Sequence, residues 1–268
     1  MYEALAEGVS DADCDADVRV TVITGRGGVF TSGNDLADFR DHPDSVAAFG
    51  LLRTLLEAEK PIVAAVEGFA VGIGASMLLH CDLAFAGRST VFSLPFVKLG
   101  LSPEGASTLL LPRLAGIKTA AELLMLGDKF DADRAEKAGL INRVVDDGQA
   151  LTAALDAVTS LQALPAESVC IAKSLLRRDK PDVLQVIDEE SELSLERIHS
   201  VDAKEAIAGF LVTIGGCPPV GAATTRARMM RVVRVGVPED IAAAGIYLSP
   251  GTATCMTAPS SRWTAASA

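Results

Sequence analysis

Lys60-Pro61-Ile62-Val63-Ala64-Ala65-Val66-Glu67-Gly68-Phe69-Ala70-Val71-Gly72-Ile73-Gly74 is the stretch on which the fold of this chain turns. The residue before a proline disfavours the α region, so Lys60-Pro61 ends the helical spacing of Ser45–Glu59. Pro61–Val66 is then an unbroken apolar run of strand length, the pattern of a strand covered on both faces. It passes through Glu67-Gly68 into a glycine connection, and a helix of small and apolar residues follows to Leu79. Upstream, Val18–Thr24 alternates and is β-branched, so it predicts a strand. Downstream, Asp82–Ala86 and Val91–Ser93 predict two more. Strands alternating with helices imply an α/β fold with a parallel sheet.

Further out, Met1–Val9 predicts a helix and Asp11–Asp17 an acidic connector. From Ala120 to about Phe210 the periodicity is helical, over 120–126, 131–138, 148–160, 166–178, 181–199 and 203–212. Gly215-Gly216-Cys217-Pro218-Pro219 breaks it. The chain therefore divides into residues 1–214 and a tail, 215–268, of different composition.

The net charge of -11 sets the surface against nucleic acid and anionic membranes. The basic clusters, Lys173–Lys180 and Arg226–Arg234, are expected as solvated helix faces. No run is clean enough for a membrane span. The acidic N-terminus lacks a secretory pattern, and the C-terminal Ala-Ala-Ser-Ala is no peroxisomal signal, so a cytoplasmic setting is expected. The five cysteines form no CxxC and the three histidines no HxxxH pair. Neither a metal nor a Cys–His pair is expected to carry chemistry, and no cofactor is implied.

The turn Thr24-Gly25-Arg26-Gly27-Gly28-Val29-Phe30 invites a dinucleotide reading and fails it. GxGxxG would need glycine at Phe30, and TGxxxGxG would need it at Val29. Gly33 and Gly72 are different, because each sits in a strand-to-helix connection. Two such connections can aim backbone N–H groups at one point, as chemistry that builds charge on a carbonyl oxygen requires.

Together, Phe30-Thr31-Ser32-Gly33-Asn34-Asp35-Leu36, the Lys60–Gly72 stretch, Cys81-Asp82-Leu83-Ala84-Phe85-Ala86 and Asp131–Val145 resemble the crotonase (enoyl-CoA hydratase/isomerase) superfamily over about residues 1–212. The resemblance implies a spiral of ββα units with a C-terminal helical trimerisation region, assembled as a homotrimer or hexamer. It implies an acyl-CoA thioester as ligand, with Ser32, Gly33, Asp35, Leu36 and Gly72 at the substrate. The backbone N–H groups of Asn34 and Ile73 would form the oxyanion hole. Hydratases of the family carry two glutamates, at positions that read Ser76 and Phe96 here. By contrast, Leu99-Gly100-Leu101-Ser102-Pro103-Glu104-Gly105-Ala106-Ser107 is similar to the segment bearing the single catalytic glutamate of the Δ3,Δ2-enoyl-CoA isomerases. Glu104 is thus the candidate base for moving a double bond from C3–C4 to C2–C3. A hydratase, another crotonase activity, or a homologue with little turnover remain the alternatives. Read without the resemblance, Glu104 is a carboxylate at a helix N-terminus. Asp82 is expected to be structural, and Arg53 and Lys173 are possible partners of CoA phosphates.

The sequence departs from the family at both ends. Met1-Tyr2 aligns with the start of a helix that an opening strand pair normally precedes, so a strand edge is exposed and CoA affinity falls unless something else takes that place. Arg234–Pro259 resembles a C-terminal fragment of short-chain dehydrogenases, without the YxxxK pair that would give it their activity.

Overall fold

The computed structural model describes residues 1–36, 41–215, 231–235, 246–249 and 252–253. Helix α1 (Tyr2–Cys14) buries Leu5, Val9 and Ala12 along one side. It runs well into the expected acidic connector because Asp13 has a task there. The Asp13 carboxylate accepts from the amides of Glu59 (3.0 Å) and Lys60 (2.8 Å), and Lys60 Nζ donates to the Ala12 carbonyl at 3.0 Å. The junction before Pro61 is thereby tied to the first helix.

Strand β1 (Val20–Thr24), helix α2 (Ala47–Glu57) and strand β2 (Ile62–Val66) follow, both strands being buried at every position. The two pair in parallel with Thr21 opposite Ile62. Successive side chains in a strand point to opposite faces, and both faces are covered here. Ile23, Ile62, Ala64 and Val66 pack with Leu5 and Val9 of α1 and with Leu51, Leu52 and Leu55 of α2. Val20, Val22, Val63 and Ala65 meet Ala150, Ala154 and Val158 on the other side. An isoleucine or valine buried this way contributes about 1.5–3 kcal/mol, which makes the Ile62–Val66 run a strong fold signal.

Next come β3 (Phe69–Val71), the single-turn α3 (Ile73–Ser76) with a 3-10 turn at Met77–His80, β4 (Leu83–Gly87) and β5 (Val91–Ser93). After a turn at Val97–Leu99 the chain forms α4 (Ser107–Ala115), α5 (Ile117–Ala121) with a π turn at Glu122–Leu126, β6 (Phe130–Asp131), α6 (Ala132–Lys137) and β7 (Arg143–Val145). Helices α7 (Ala150–Gln162), α8 (Ala166–Leu176), α9 (Lys180–Ile198) and α10 (Val201–Gly215) complete the body, followed by β8 (Arg231–Val235), β9 (Ile246–Ser249) and β10 (Thr252–Ala253).

The main sheet has the order β10-β9-β8-β1-β2-β4-β7, and a smaller sheet has the order β3-β5-β6. In the pairs β2-β3 and β4-β5 the first strand enters the large sheet and the second the small one, the repeat of the expected crotonase spiral. Phe69–Val71, read from sequence as a connection, is a strand because it pairs with Val91–Ser93. The α/β and helical halves also interleave more than the sequence indicated, since β7 joins the large sheet beside β4 and α7 packs on its second face.

The tail supplies a substitute at one edge, and one expectation is corrected. The outer edge of β1 is not open: β8 lies antiparallel along it, from Val20 opposite Val235 to Thr24 opposite Arg231. The Lys173–Lys180 cluster is not a simple solvated face either. Asp82 accepts from the Ile62 amide at 2.7 Å and pairs with Lys173 (2.8 Å) and Arg177 (3.1 Å). Lys173 Nζ also donates to the Lys60 carbonyl and Arg177 to that of His80. This partly buried network fastens α8 to the sheet, so Asp82 is structural and Lys173 is committed to it. Residues 226–230 of the second basic cluster, and most of the dehydrogenase-like stretch, lie outside the described residues.

Candidate active site

The loops after β1 and β3 meet side by side. Thr31 N donates to the Phe69 carbonyl (2.9 Å) and Val71 N to that of Thr31 (3.2 Å), a short parallel bridge between the two connections. Gly33 follows, with φ 89° and so little room that a Cβ would lie 2.8 Å from the Val71 carbonyl oxygen. A side chain would therefore prise the loops apart. Gly72 turns the second connection at φ 57°, and its amide is spent on the Ser93 carbonyl at 2.9 Å. Ile73 is the first residue of α3. Amides in the first turn of a helix have no partner within it, so the Ile73 N–H is oriented outward by the helix itself.

These loops form one wall of a cleft of about 150 Å³. Ser32, Gly33, Asn34, Leu36, Gly72 and Ile73 line it, with Glu104 among the residues completing the enclosure. Six of the seven expected substrate-side residues other than Glu104 are thus brought together; Asp35 is exposed and is not part of the lining. The rest of the lining is mainly apolar, with Phe49, Phe96, Leu99, Leu101, Leu195 and Ile198 beside the hydroxyls of Ser45 and Ser194. Lys98 at the rim is paired with Asp128 at 2.5 Å. Arg53, on α2, pairs with Asp188 and does not line the cleft.

Glu104 is 5% exposed, and it is the one carboxylate among the described residues lining the cleft. Burial, with the nearby charge of Glu190 as a second cause, pushes it up to about 8. Its position is not that of a helix N-terminal residue. Helix α4 begins only at Ser107, after Gly105 (φ 74°) and Ala106 (φ 53°) have turned through the left-handed region. Ala106 is the one non-glycine with positive φ among the described residues, a conformation costing roughly 1 kcal/mol.

Two side chains that sequence reasoning missed hold this turn. His80, fully buried, lies with Nε2 at 2.8 Å from the Gly105 carbonyl. The carbonyl can only accept, so Nε2 carries the proton. Burial lowers the imidazole to about 4 and keeps it neutral. Glu190 reaches across from α9, accepting from the Thr108 amide at 3.1 Å and the Thr108 hydroxyl at 2.5 Å. The sequence carried a signal for Glu190: with Val183 and Ile187 it continues one buried stripe of α9, where an acid is out of place.

Residues 1–214 match the enoyl-CoA hydratase/isomerase family. The chain belongs to that family. It is 33% identical over 227 residues to the 1,2-epoxyphenylacetyl-CoA isomerase of Escherichia coli, covering 79% of this chain and 85% of that protein. It is 31% identical over 221 residues to enoyl-CoA delta isomerase 2 of Rattus norvegicus, where the match spans 79% of this chain but only 56% of the relative. Among solved structures, Pseudomonas aeruginosa OdaA superposes with a TM-score of 0.77 at 42% identity, covering 79% of this chain and 87% of that one. The protein is therefore an enzyme of the enoyl-CoA hydratase/isomerase family with the crotonase fold. Among the described residues, no helix is long and apolar enough to cross a membrane.

Proposed function

We propose that this protein isomerises 3-enoyl-CoA thioesters to 2-enoyl-CoA, with Glu104 as the single proton carrier. The observation that carries the reading is the buried Glu104, the one carboxylate among the described residues lining a mainly apolar cleft, in a lining it shares with the two backbone loops. Moving the double bond requires taking a proton from C2 and returning one at C4. One base lying between the two carbons does both, with no water and no metal. Charge in the dienolate rests largely on the thioester oxygen. The N–H groups of Asn34 and Ile73 would stabilise it, each such donor being worth about 3–4 kcal/mol.

Hydration needs a second carboxylate to hold and activate water. The two positions expected from the family's hydratases are Ser76, which is buried, and Phe96, which lines the cleft and excludes water. Both favour isomerisation. The lifted affinity of Glu104 for its proton also suits the task, since a base with a pKa near the working pH removes a carbon-bound proton more readily than an ordinary carboxylate. In the same reading the exposed Ile171, Leu175 and Leu176 of α8 contribute to a homotrimeric or hexameric assembly.

The test is conversion of a purified 3-enoyl-CoA to the conjugated 2-enoyl-CoA, followed by absorbance of the conjugated thioester. Glu104→Gln is expected to lower kcat by about 10²–10⁴-fold. Rates that match in the two proteins remove Glu104 from the mechanism. Crotonyl-CoA hydration that survives the substitution favours the hydratase alternative.

A further inference from the structure

The loop bearing Glu104 is held in an unfavourable conformation by something other than its own sequence. Gly105 and Ala106 both have positive φ, and Ala106 is buried with no freedom to relax. On one flank His80 fixes the Gly105 carbonyl. On the other, the Thr108 amide and hydroxyl bind one oxygen of Glu190, whose carboxylate also faces the amides of Ala106 and Ser107. The second oxygen, Glu190 Oε2, is buried without a hydrogen-bond partner. Ser102, on the other side of Glu104, directs its hydroxyl at the Glu190 carbonyl (3.5 Å). A residue of α9 thus grips the Glu104 loop before and after the acid, 86 positions away in sequence by the numbers 190 and 104.

We propose that Glu190 is a positioning residue for Glu104: from α9 its carboxylate holds the Thr108 amide and hydroxyl, and with them the left-handed turn that follows the acid, and it sets a second carboxylate behind Glu104. The proposal rests on the isomerase reading of Glu104 for its functional meaning. Two buried carboxylates that feel each other's charge cannot both ionise freely, and the one with more hydrogen-bond donors keeps its charge more easily. Burial raises Glu190 as well, but its hydrogen bonds at the N-terminus of α4, from the Thr108 hydroxyl and amide, oppose that rise. Among the described residues no such bond opposes the rise of Glu104, and the charge of Glu190 raises it further beyond the effect of burial. The other titratable or charged groups around the pair do not supply an alternative field. His80 is held neutral, Lys98 is engaged by Asp128, and Arg53 is engaged by Asp188 of α9.

Glu190→Gln in the full chain separates charge from shape, because the amide oxygen can still accept from Thr108. The titration of the Glu104 carboxyl is read by ¹³C NMR of glutamate-labelled protein, with Glu104→Gln identifying the signal. Its midpoint is expected to fall by about one pH unit in Glu190→Gln, and the acid limb of the kcat profile on 3-enoyl-CoA to move down with it. Glu190→Ala, which also removes the acceptor, is expected to lose at least about tenfold in kcat with KM within about twofold, and glutamine to restore most of that loss. An unmoved Glu104 midpoint in Glu190→Gln overturns the proposal, even if Glu190→Ala fails to fold. A midpoint that moves in a protein with no isomerase turnover upholds the Glu190 clamp and sinks the isomerase reading instead.

Discussion

The two walls of the cleft are built in opposite ways. One is made of backbone: the loops after β1 and β3 are joined by main-chain hydrogen bonds, and the donors they offer are amides whose direction the strand and helix geometry dictates. The other is made of side chains: Glu104 stands on an irregular left-handed turn that His80 and Glu190 hold from distant parts of the chain. The first wall tolerates varied side chains and little change of backbone. The second depends on particular side chains and on the electrostatics between them.

The largest effect that tests this contrast is expected on the backbone wall. Gly33→Val places a branched side chain where a Cβ already lies 2.8 Å from the Val71 carbonyl oxygen, at a φ of 89°. On the proposed isomerase mechanism this shifts the Asn34 amide and removes one oxyanion donor, so kcat on 3-enoyl-CoA is expected to fall about 10²–10³-fold. Asn34→Ala, which keeps the amide, should stay within about tenfold. Equal losses in the two variants would mean that the Asn34 side chain, rather than the main chain, faces the substrate.

The same contrast explains what the sequence could reveal. The backbone wall was legible because its determinants are local: the Ile62–Val66 run, the glycines of each connection and the helix beginning at Ile73 stand within a few residues of what they organise. The placement of Glu104 was legible through its resemblance to a family segment, whereas its support was not. His80 sits at the end of an apolar run with no partner nearby in sequence, and Glu190 meets Thr108 only because α9 crosses α4. The short strands Phe69–Val71 and Phe130–Asp131 escaped for a similar reason, since pairing with β5 across the fold defines them and not periodicity. The extent of α1 depended on Asp13 reaching the amides of Glu59 and Lys60, again a contact across many residues.

A smaller effect, on stability, should appear at the side-chain wall. Glu104 holds its proton more tightly folded than unfolded, rising from 4.5 to about 8. The unfolded chain therefore releases this proton first as pH rises. The stabilising contribution of the neutral acid is fully present below about 4.5 and is lost as pH climbs through about 8. Glu104→Gln stays neutral throughout, so its Tm should gain on the parent between pH 5 and pH 8, by about 3–6 °C or on the order of 2 kcal/mol. His80 acts in the other direction. Its folded value of about 4 lies below the ordinary 6.5, so stability falls as pH drops through that window. A Tm difference between Glu104→Gln and the parent that is flat with pH would mean that Glu104 ionises without penalty.

The smallest effect on the site is expected from the region farthest from it in design, the strand laid along β1. A chain ending at Gly215 loses β8, and with it the antiparallel partner of Val20–Thr24. The outer edge of β1 then presents unpaired amides and carbonyls, a template for pairing with another chain, and self-association measured by light scattering should increase. The inner edge keeps its parallel register with β2, and the bridge between Thr31 and Ala70 that assembles the two loops involves no tail residue. Turnover per soluble subunit should therefore remain within about twofold, an effect of under 0.5 kcal/mol on the barrier. If kcat instead drops tenfold while the protein stays folded, strain is passing from the sheet edge through β1 into the Asn34 loop. The backbone wall would then rest on long-range support as much as the Glu104 wall does.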